Sequence, residues 1–172
     1  MDILDYAMRM ELDGKLYYET SASKMPTPEL RQILLTLAEE EVKHYHFFKR
    51  LKESGSVAAR EVIDAAPPST LAVKNVFQQM VGNGQSNLYG EDVVSIWRKA
   101  LDVEEKAVKL YSEEAGKEND VARRELLHQI ADEEKNHVYL IENMLAFMAD
   151  PSGFIDSANY QHFQSWEGHG GG

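Results

Sequence analysis

The stretch LAEEEVKH at residues 37–44 recurs as IADEEKNH at residues 130–137, an offset of 93 positions. Four of the eight positions are identical, and two more are conservative exchanges. The same offset carries Glu11 onto Glu104. The two halves of the chain are therefore predicted to be two copies of one helical hairpin, related by a pseudo-twofold axis.

Four long segments without internal proline carry the apolar periodicity of helices, at about residues 2–23, 28–54, 91–115 and 120–149. Thr27 before Pro28 suits an N-cap, Gly55 suits a C-cap, and Asn119 or Asp120 suits a second N-cap. Short turns join the members of each hairpin. The pattern predicts an all-α four-helix bundle with one long crossover between its second and third helices.

The long connection spans residues 55–90 and contains Pro67, Pro68, Gly82, Gly84 and Gly90. It also contains one amphipathic piece, which predicts a single short helix within it. The bundle domain is predicted to cover residues 1–150, and residues 151–172 form a C-terminal tail. In that tail Tyr160, Phe163 and Trp166 recur at intervals of three, a spacing that suits docking of a helical turn onto the bundle.

Acidic and imidazole side chains interrupt the apolar stripe of every long helix. In the second helix the stripe has leucine at 30, 34 and 37, then glutamate and histidine at 41 and 44, then Phe48 and Leu51. Glutamate or histidine also occupies apolar-stripe positions in the other three long helices. The six polar stripe residues are Glu11, Glu41, His44, Glu104, Glu134 and His137.

Four carboxylates at core positions would repel one another, and desolvating each one costs several kcal/mol. Two divalent cations would neutralise their four charges. The i, i+3 spacing of Glu41 and His44, repeated in Glu134 and His137, brings both side chains of each pair onto one helix face. One glutamate from each of two helices and a Glu-x-x-His from each of the others is the ligand set of di-iron carboxylate bundles. The six residues are therefore predicted to bind two iron ions, although manganese or zinc also suits oxygen and imidazole ligands.

Tyr18 and its repeat mate Tyr111 follow the first glutamate of each hairpin by two helical turns. Two interpretations remain open for them. They are either core aromatics whose hydroxyls bond elsewhere, or hydrogen-bond donors to the metal-binding carboxylates.

The composition excludes several other classes of function. The net charge of −11 opposes binding to nucleic acid or to an anionic membrane. The chain has no cysteine, which excludes thiolate metal sites and iron–sulfur clusters. No signal-like or membrane-spanning apolar run is found, so a cytoplasmic location is expected.

The sequence resembles the rubrerythrin branch of the ferritin-like superfamily over about residues 2–149. The resemblance rests on Glu11 with Tyr18, Glu104 with Tyr111, and the two Glu-x-x-His motifs. It implies a ferritin-like bundle, often a homodimer, whose non-haem di-iron centre reacts with hydrogen peroxide or dioxygen. Rubrerythrins usually add a rubredoxin domain with four cysteines and carry an extra glutamate where this chain has Ala107. Electrons would therefore come from an external donor such as a rubredoxin.

Three functions compete at this stage. The first is a redox enzyme that reduces peroxide or dioxygen. The second is a ferroxidase or iron-handling protein, since four glutamates and two histidines also resemble bacterioferritin-type centres. The third is a structural bundle stabilised by a redox-silent metal such as zinc, which would satisfy the same buried carboxylates.

Overall fold

The computed structural model describes residues 2–65, 70–83 and 89–168, and every regular element among them is a helix. The eight helices are α1 Ile3–Ala22, α2 Pro28–Ser54, α3 Ser56–Ala65, α4 Thr70–Gly82, α5 Glu91–Lys117, α6 Val121–Ala149, α7 Pro151–Ile155 and α8 Ala158–Ser165. The predicted all-α helical bundle is confirmed. Within the described ranges, none of these helices has both the length and the apolar character needed to cross a membrane.

The ends of the long helices lie where the sequence predicted them. Thr27 caps α2 by accepting a hydrogen bond from the backbone N–H of Leu30, and Pro28 occupies the first helical turn. Gly55 follows α2 with a φ of 87°, a conformation that favours glycine. Asp120 caps α6 by accepting from the N–H of Arg123 at 2.8 Å. Local sequence therefore sets where each helix begins and ends.

Two hairpins, α1 with α2 and α5 with α6, pack together around two apolar clusters. Along α2, one cluster takes the residues up to Ala38 and the other begins at Phe47. Along α6, the order is reversed: one cluster ends at Ala131 and the other begins at Leu140. A polar layer lies between the clusters, and it contains the two Glu-x-x-His motifs.

The connection between α2 and α5 contains two helices, whereas the sequence analysis expected one. The amphipathic piece forms α4, which packs on α2 and α6 through Val73, Phe77 and Met80. The additional helix α3 packs on α2 and α6, and only Ala59 and Ile63 among its residues are buried. With two of its ten residues buried, α3 contributes little to the core of the bundle. Residues 66–69 and 84–88, which include Pro67 and Pro68, lie outside the described residues.

The C-terminal segment packs against the bundle through aromatic side chains. Phe163 of α8 is fully buried, and its ring lies 5.2 Å from that of Phe77 and 6.1 Å from that of Tyr139. The ammonium group of Lys74 donates to the carbonyl oxygens of Gln164 and Trp166, both at 2.6 Å. These bonds satisfy carbonyl groups at the end of α8 that lack partners within the helix. Residues 169–172 lie outside the described residues.

Replacing Phe163 by alanine is expected to lower the free energy of unfolding by about 3 kcal/mol, because it leaves a cavity between α4 and α6. Ile155→Ala is the matched control, since Ile155 is 41% exposed and its loss should change little. Chemical denaturation followed by circular dichroism measures both. Equal stability of the Phe163→Ala variant and the parent protein would mean that α8 adds nothing to the fold.

Candidate metal centre

The six polar stripe residues converge in the layer between the two apolar clusters. α1 and α5 each contribute one glutamate, while α2 and α6 each contribute a glutamate and a histidine one turn apart. No member is more than 4% exposed. The set comprises Glu11, Glu41, His44, Glu104, Glu134 and His137.

The ligand atoms form two overlapping groups, each lying within a 4.8 Å span. One group consists of Glu11, Glu41, His44 and Glu134, and the other of Glu41, Glu104, Glu134 and His137. Glu41 and Glu134 belong to both groups. A carboxylate has two oxygens and can therefore bridge two cations, so this arrangement suits two neighbouring metal ions with two shared ligands.

Both histidines direct Nδ1 into the centre. His44 Nδ1 lies 2.9 Å from a carboxylate oxygen of Glu134 and 3.6 Å from one of Glu11. His137 Nδ1 lies 3.2 Å from the other Glu134 oxygen and 3.6 Å from Glu104. The two imidazole rings lie 6.1 Å apart. Nδ1 is thus the nitrogen that each histidine would offer to a metal ion bound in the cluster.

The opposite nitrogen of His44 has its own carboxylate partner. Nε2 of His44 donates to Glu133 at 2.8 Å, and Glu133 also lies 3.4 Å from the ammonium group of Lys43. Lys43 in turn lies 3.8 Å from Glu40, which is the repeat mate of Glu133. A carboxylate at Nε2 fixes the ring orientation and raises the basicity of Nδ1. The acidic residues that flank the two motifs are Glu39, Glu40, Asp132 and Glu133, and the sequence does not show which of them bonds a histidine of the cluster.

The two tyrosines bond across the repeat. Tyr18 donates to Glu104 and Tyr111 donates to Glu11, so each hydroxyl reaches the glutamate of the other hairpin. These bonds require α1 and α5 to run in opposite directions, because residue 18 meets 104 while residue 11 meets 111. Of the two open interpretations, the hydrogen bonds favour the second, since each hydroxyl donates to a buried carboxylate of the cluster.

Comparison with known proteins identifies the family. A family model described as Rubrerythrin matches residues 2–145. The chain belongs to the rubrerythrin family. Neither the curated proteins nor the solved structures gave a significant match, so the assignment rests on the family model. Membership implies a di-iron carboxylate protein, and the buried glutamate and histidine cluster is compatible with one.

The donors in the cluster fit the pair of metal ions that the rubrerythrin family implies. Glu11 Oε2 and Glu41 Oε1 are buried and accept no hydrogen bond from any described residue. A buried carboxylate oxygen without a partner is costly, and a metal ion would satisfy it. The donors are carboxylate oxygens and imidazole nitrogens, which suit iron and manganese and also accept zinc.

Without metal, protons compensate the charge in the cluster. Burial, reinforced by the charges of Glu11 and Glu104, raises the pKa of Glu41 well above its usual range. Burial and the charge of Glu134 raise the pKa of Glu104 to about 7. Burial opposes protonation of His44, but Glu134, Glu11 and Glu133 outweigh it and raise its pKa well above the usual value. Metal binding must therefore release protons.

Glycine at position 14 allows α1 to approach the Glu41 carboxylate closely. A Cβ built on Gly14 would lie 2.7 Å from Glu41 Oε2, which is too close for an ordinary contact. Glycine within a helix costs about 1 kcal/mol relative to alanine, and a Cβ here would require the end of the Glu41 side chain to move. This residue was not singled out from the sequence, although glycine inside an otherwise regular helix was the available signal.

The metal-free protein is expected to lose stability as pH rises from about 5 to about 7.5. Glu41, Glu104 and the two histidines have raised pKa values when folded. The folded state therefore holds protons that the unfolded chain has released, and their stabilising contribution disappears as pH passes the folded pKa values. Denaturant midpoints after chelator treatment measure this trend. A higher midpoint at the upper pH would contradict the protonated cluster.

Replacing Glu133 by alanine is expected to weaken metal binding by about 10- to 100-fold, because His44 loses the partner that orients its ring. Glu40→Ala is the matched control, since Glu40 is the repeat mate and also contacts Lys43. Competition with a chromogenic chelator measures both affinities. Equal losses in the two variants would show that general charge, rather than the bond to His44, accounts for the effect.

Proposed function

We propose that the protein is a non-haem di-iron oxidoreductase that reduces hydrogen peroxide or dioxygen with electrons from a separate donor. The single observation that supports it most directly is the pair of ligand groups that share Glu41 and Glu134. With two ferrous ions bound, the centre would supply the two electrons that convert hydrogen peroxide and two protons to two molecules of water.

The side chains of the chain provide geometry and charge control for this reaction. Tyr18 and Tyr111 donate to Glu104 and Glu11 and so restrict the carboxylates of α1 and α5. Glu133 orients the ring of His44. The apolar clusters above and below the polar layer keep bulk water out, which strengthens every charge interaction within it.

The electron donor is proposed to be another protein. The chain contains no cysteine and so has no rubredoxin-type iron site of its own. A rubredoxin is the donor that the family resemblance suggests. We further propose a cytoplasmic homodimer as the working form.

A ferroxidase or iron-handling role is the second candidate. Ala107 is the observation that favours it, since it stands where rubrerythrins carry an extra glutamate. Ala107 is buried among apolar residues of the cluster that contains Leu4 and Phe48. The remaining four glutamates and two histidines are the set shared with ferroxidase centres. This role predicts that each chain oxidises and retains many iron ions.

Hydrogen peroxide is expected to oxidise the anaerobic diferrous protein within seconds, giving ferric absorption bands that disappear on reduction and return with further peroxide. The protein should retain about two irons per chain. Stopped-flow absorption and metal analysis by plasma mass spectrometry provide the measurements. Glu41→Ala, which removes one shared carboxylate, serves as the inactive control.

Three other results would change the conclusion. An absence of oxidation over minutes would exclude peroxide reduction. Retention of many irons per chain would favour iron handling. Tight binding of zinc, together with an iron-loaded form that neither peroxide nor dioxygen oxidises, would favour the structural role.

A further inference from the structure

A groove of about 330 Å³ lies on the outer side of the bundle between α1 and α5. Three pairs of its lining residues are repeat mates, separated by the same 93 positions as the metal-binding residues. These pairs are Tyr6 with Lys99, Met10 with Val103, and Asp13 with Lys106. The groove is therefore centred on the pseudo-twofold axis that relates the two hairpins.

The same axis passes through the metal centre. It exchanges Glu11 with Glu104, and it exchanges Glu41 with Glu134, the two residues shared by both ligand groups. A groove centred on this axis consequently faces the space between the two proposed metal positions. Its position relative to the centre follows from the repeat and does not depend on any single contact.

Gly14 forms the floor of the groove and separates it from the centre. A Cβ at this position would lie 2.7 Å from Glu41 Oε2 and 3.2 Å from Glu41 Cδ, so the missing side chain leaves the carboxylate directly behind the backbone. The repeat mate of Gly14 is Ala107, which packs in the apolar core. On the Gly14 side of the axis, backbone without a side chain separates the groove from the centre, whereas on the other side the Ala107 side chain fills the equivalent space.

The remaining sides of the centre are covered in the described part of the chain. The apolar clusters lie above and below it. On the side of α2 and α6, the imidazoles face the centre. Behind His44, Glu133 pairs with both His44 and Lys43, and Lys43 also pairs with Glu40. The side formed by α1 and α5 combines a groove with a floor that lacks a side chain at Gly14.

One wall of the groove is held in a fixed position. The hydroxyl of Tyr17 donates to the carbonyl oxygen of Ile96 at 2.6 Å and so ties α1 to α5. The ammonium group of Lys99 lies 5.0 Å from the centre of the Tyr17 ring, within cation–π range. Met10 and Val103 add apolar surface. Such walls admit a small neutral molecule without offering it a strong binding site.

We propose that this groove is the route by which the oxidant reaches the metal centre, and that Gly14 sets the size of molecule that passes. The identity of the oxidant as peroxide or dioxygen rests on the proposed function, whereas the route itself does not. Gly14 is thus a residue that selects by size and does not touch the reacting atoms as a catalytic group.

The test fills the groove from its walls without altering any metal-binding side chain. Val103→Trp and Met10→Trp place an indole in it from opposite sides of the axis. Leu16→Trp is the matched control, because Leu16 is 63% exposed on α1 and does not line the groove. Iron content is measured first, and Phe replaces Trp in any variant that holds fewer irons than the parent protein.

The main measurement is the second-order rate constant for association of nitric oxide, a small neutral probe, with the diferrous protein. Both groove variants are expected to slow it at least about tenfold, which corresponds to about 1.4 kcal/mol in the barrier. Gly14→Ala should slow it as well, and Leu16→Trp should leave it unchanged. Association at the parent rate in fully loaded groove variants would overturn the proposed route.

The same variants separate this inference from the proposed function. Slow nitric oxide binding in the groove variants, with no reaction of the parent protein towards peroxide, would support the route and exclude peroxide reduction. Rapid peroxide oxidation in every variant, with unchanged nitric oxide binding, would retain the function and exclude the route.

Discussion

The structure depends on how four carboxylates are tolerated in a core that would otherwise be apolar. Each ionised carboxylate loses its hydration on burial, and neighbouring carboxylates repel one another. Two imidazoles, two tyrosine hydroxyls and protons held within the polar layer offset the negative charge of these carboxylates. Glu11 and Glu41 still keep one oxygen each without a hydrogen-bond donor among the described residues. The folded chain is thus organised around a buried polar cluster whose unpaired oxygens cations would satisfy.

The repeat gives the layer its symmetry, and differences between repeat mates break that symmetry. Glu133 bonds both His44 and Lys43, while its mate Glu40 lies 3.8 Å from Lys43. Gly14 lies close to Glu41, while its mate Ala107 fills core space. The two groups of candidate ligands are therefore alike in composition and different in their surroundings. Such differences allow one position to bind more tightly and one face to be more accessible.

Much of this organisation could be predicted from the sequence because its signals are local and repeated. Thr27 and Asp120 mark helix starts with side-chain oxygens that accept from backbone N–H groups, Gly55 marks a helix end with a positive φ, and the Glu-x-x-His motifs fall on clear apolar stripes. Helix α3 was missed because the sequence analysis assigned residues 55–90 to a connection with a single helix, and only Ala59 and Ile63 of α3 are buried.

The details around the centre depend on contacts between helices and could not be predicted. Spacing along α1 places Tyr18 two turns from Glu11, but only the packing of α1 on α5 shows that its partner is Glu104. The sequence also does not show which of the four flanking acidic residues bonds His44. That this residue is Glu133 depends on how α6 packs on α2.

The crosswise tyrosine bonds bear on how such a chain arose. Because Tyr18 serves the glutamate of the second hairpin and Tyr111 serves that of the first, neither hairpin completes its own half of the centre. A half-length ancestor would have assembled this site only by pairing with an identical copy. Gene duplication and fusion would make that pairing permanent and independent of concentration. Fusion would also allow the two copies to diverge, and a glycine in one half opposite an alanine in the other is the kind of difference that identical subunits could never acquire.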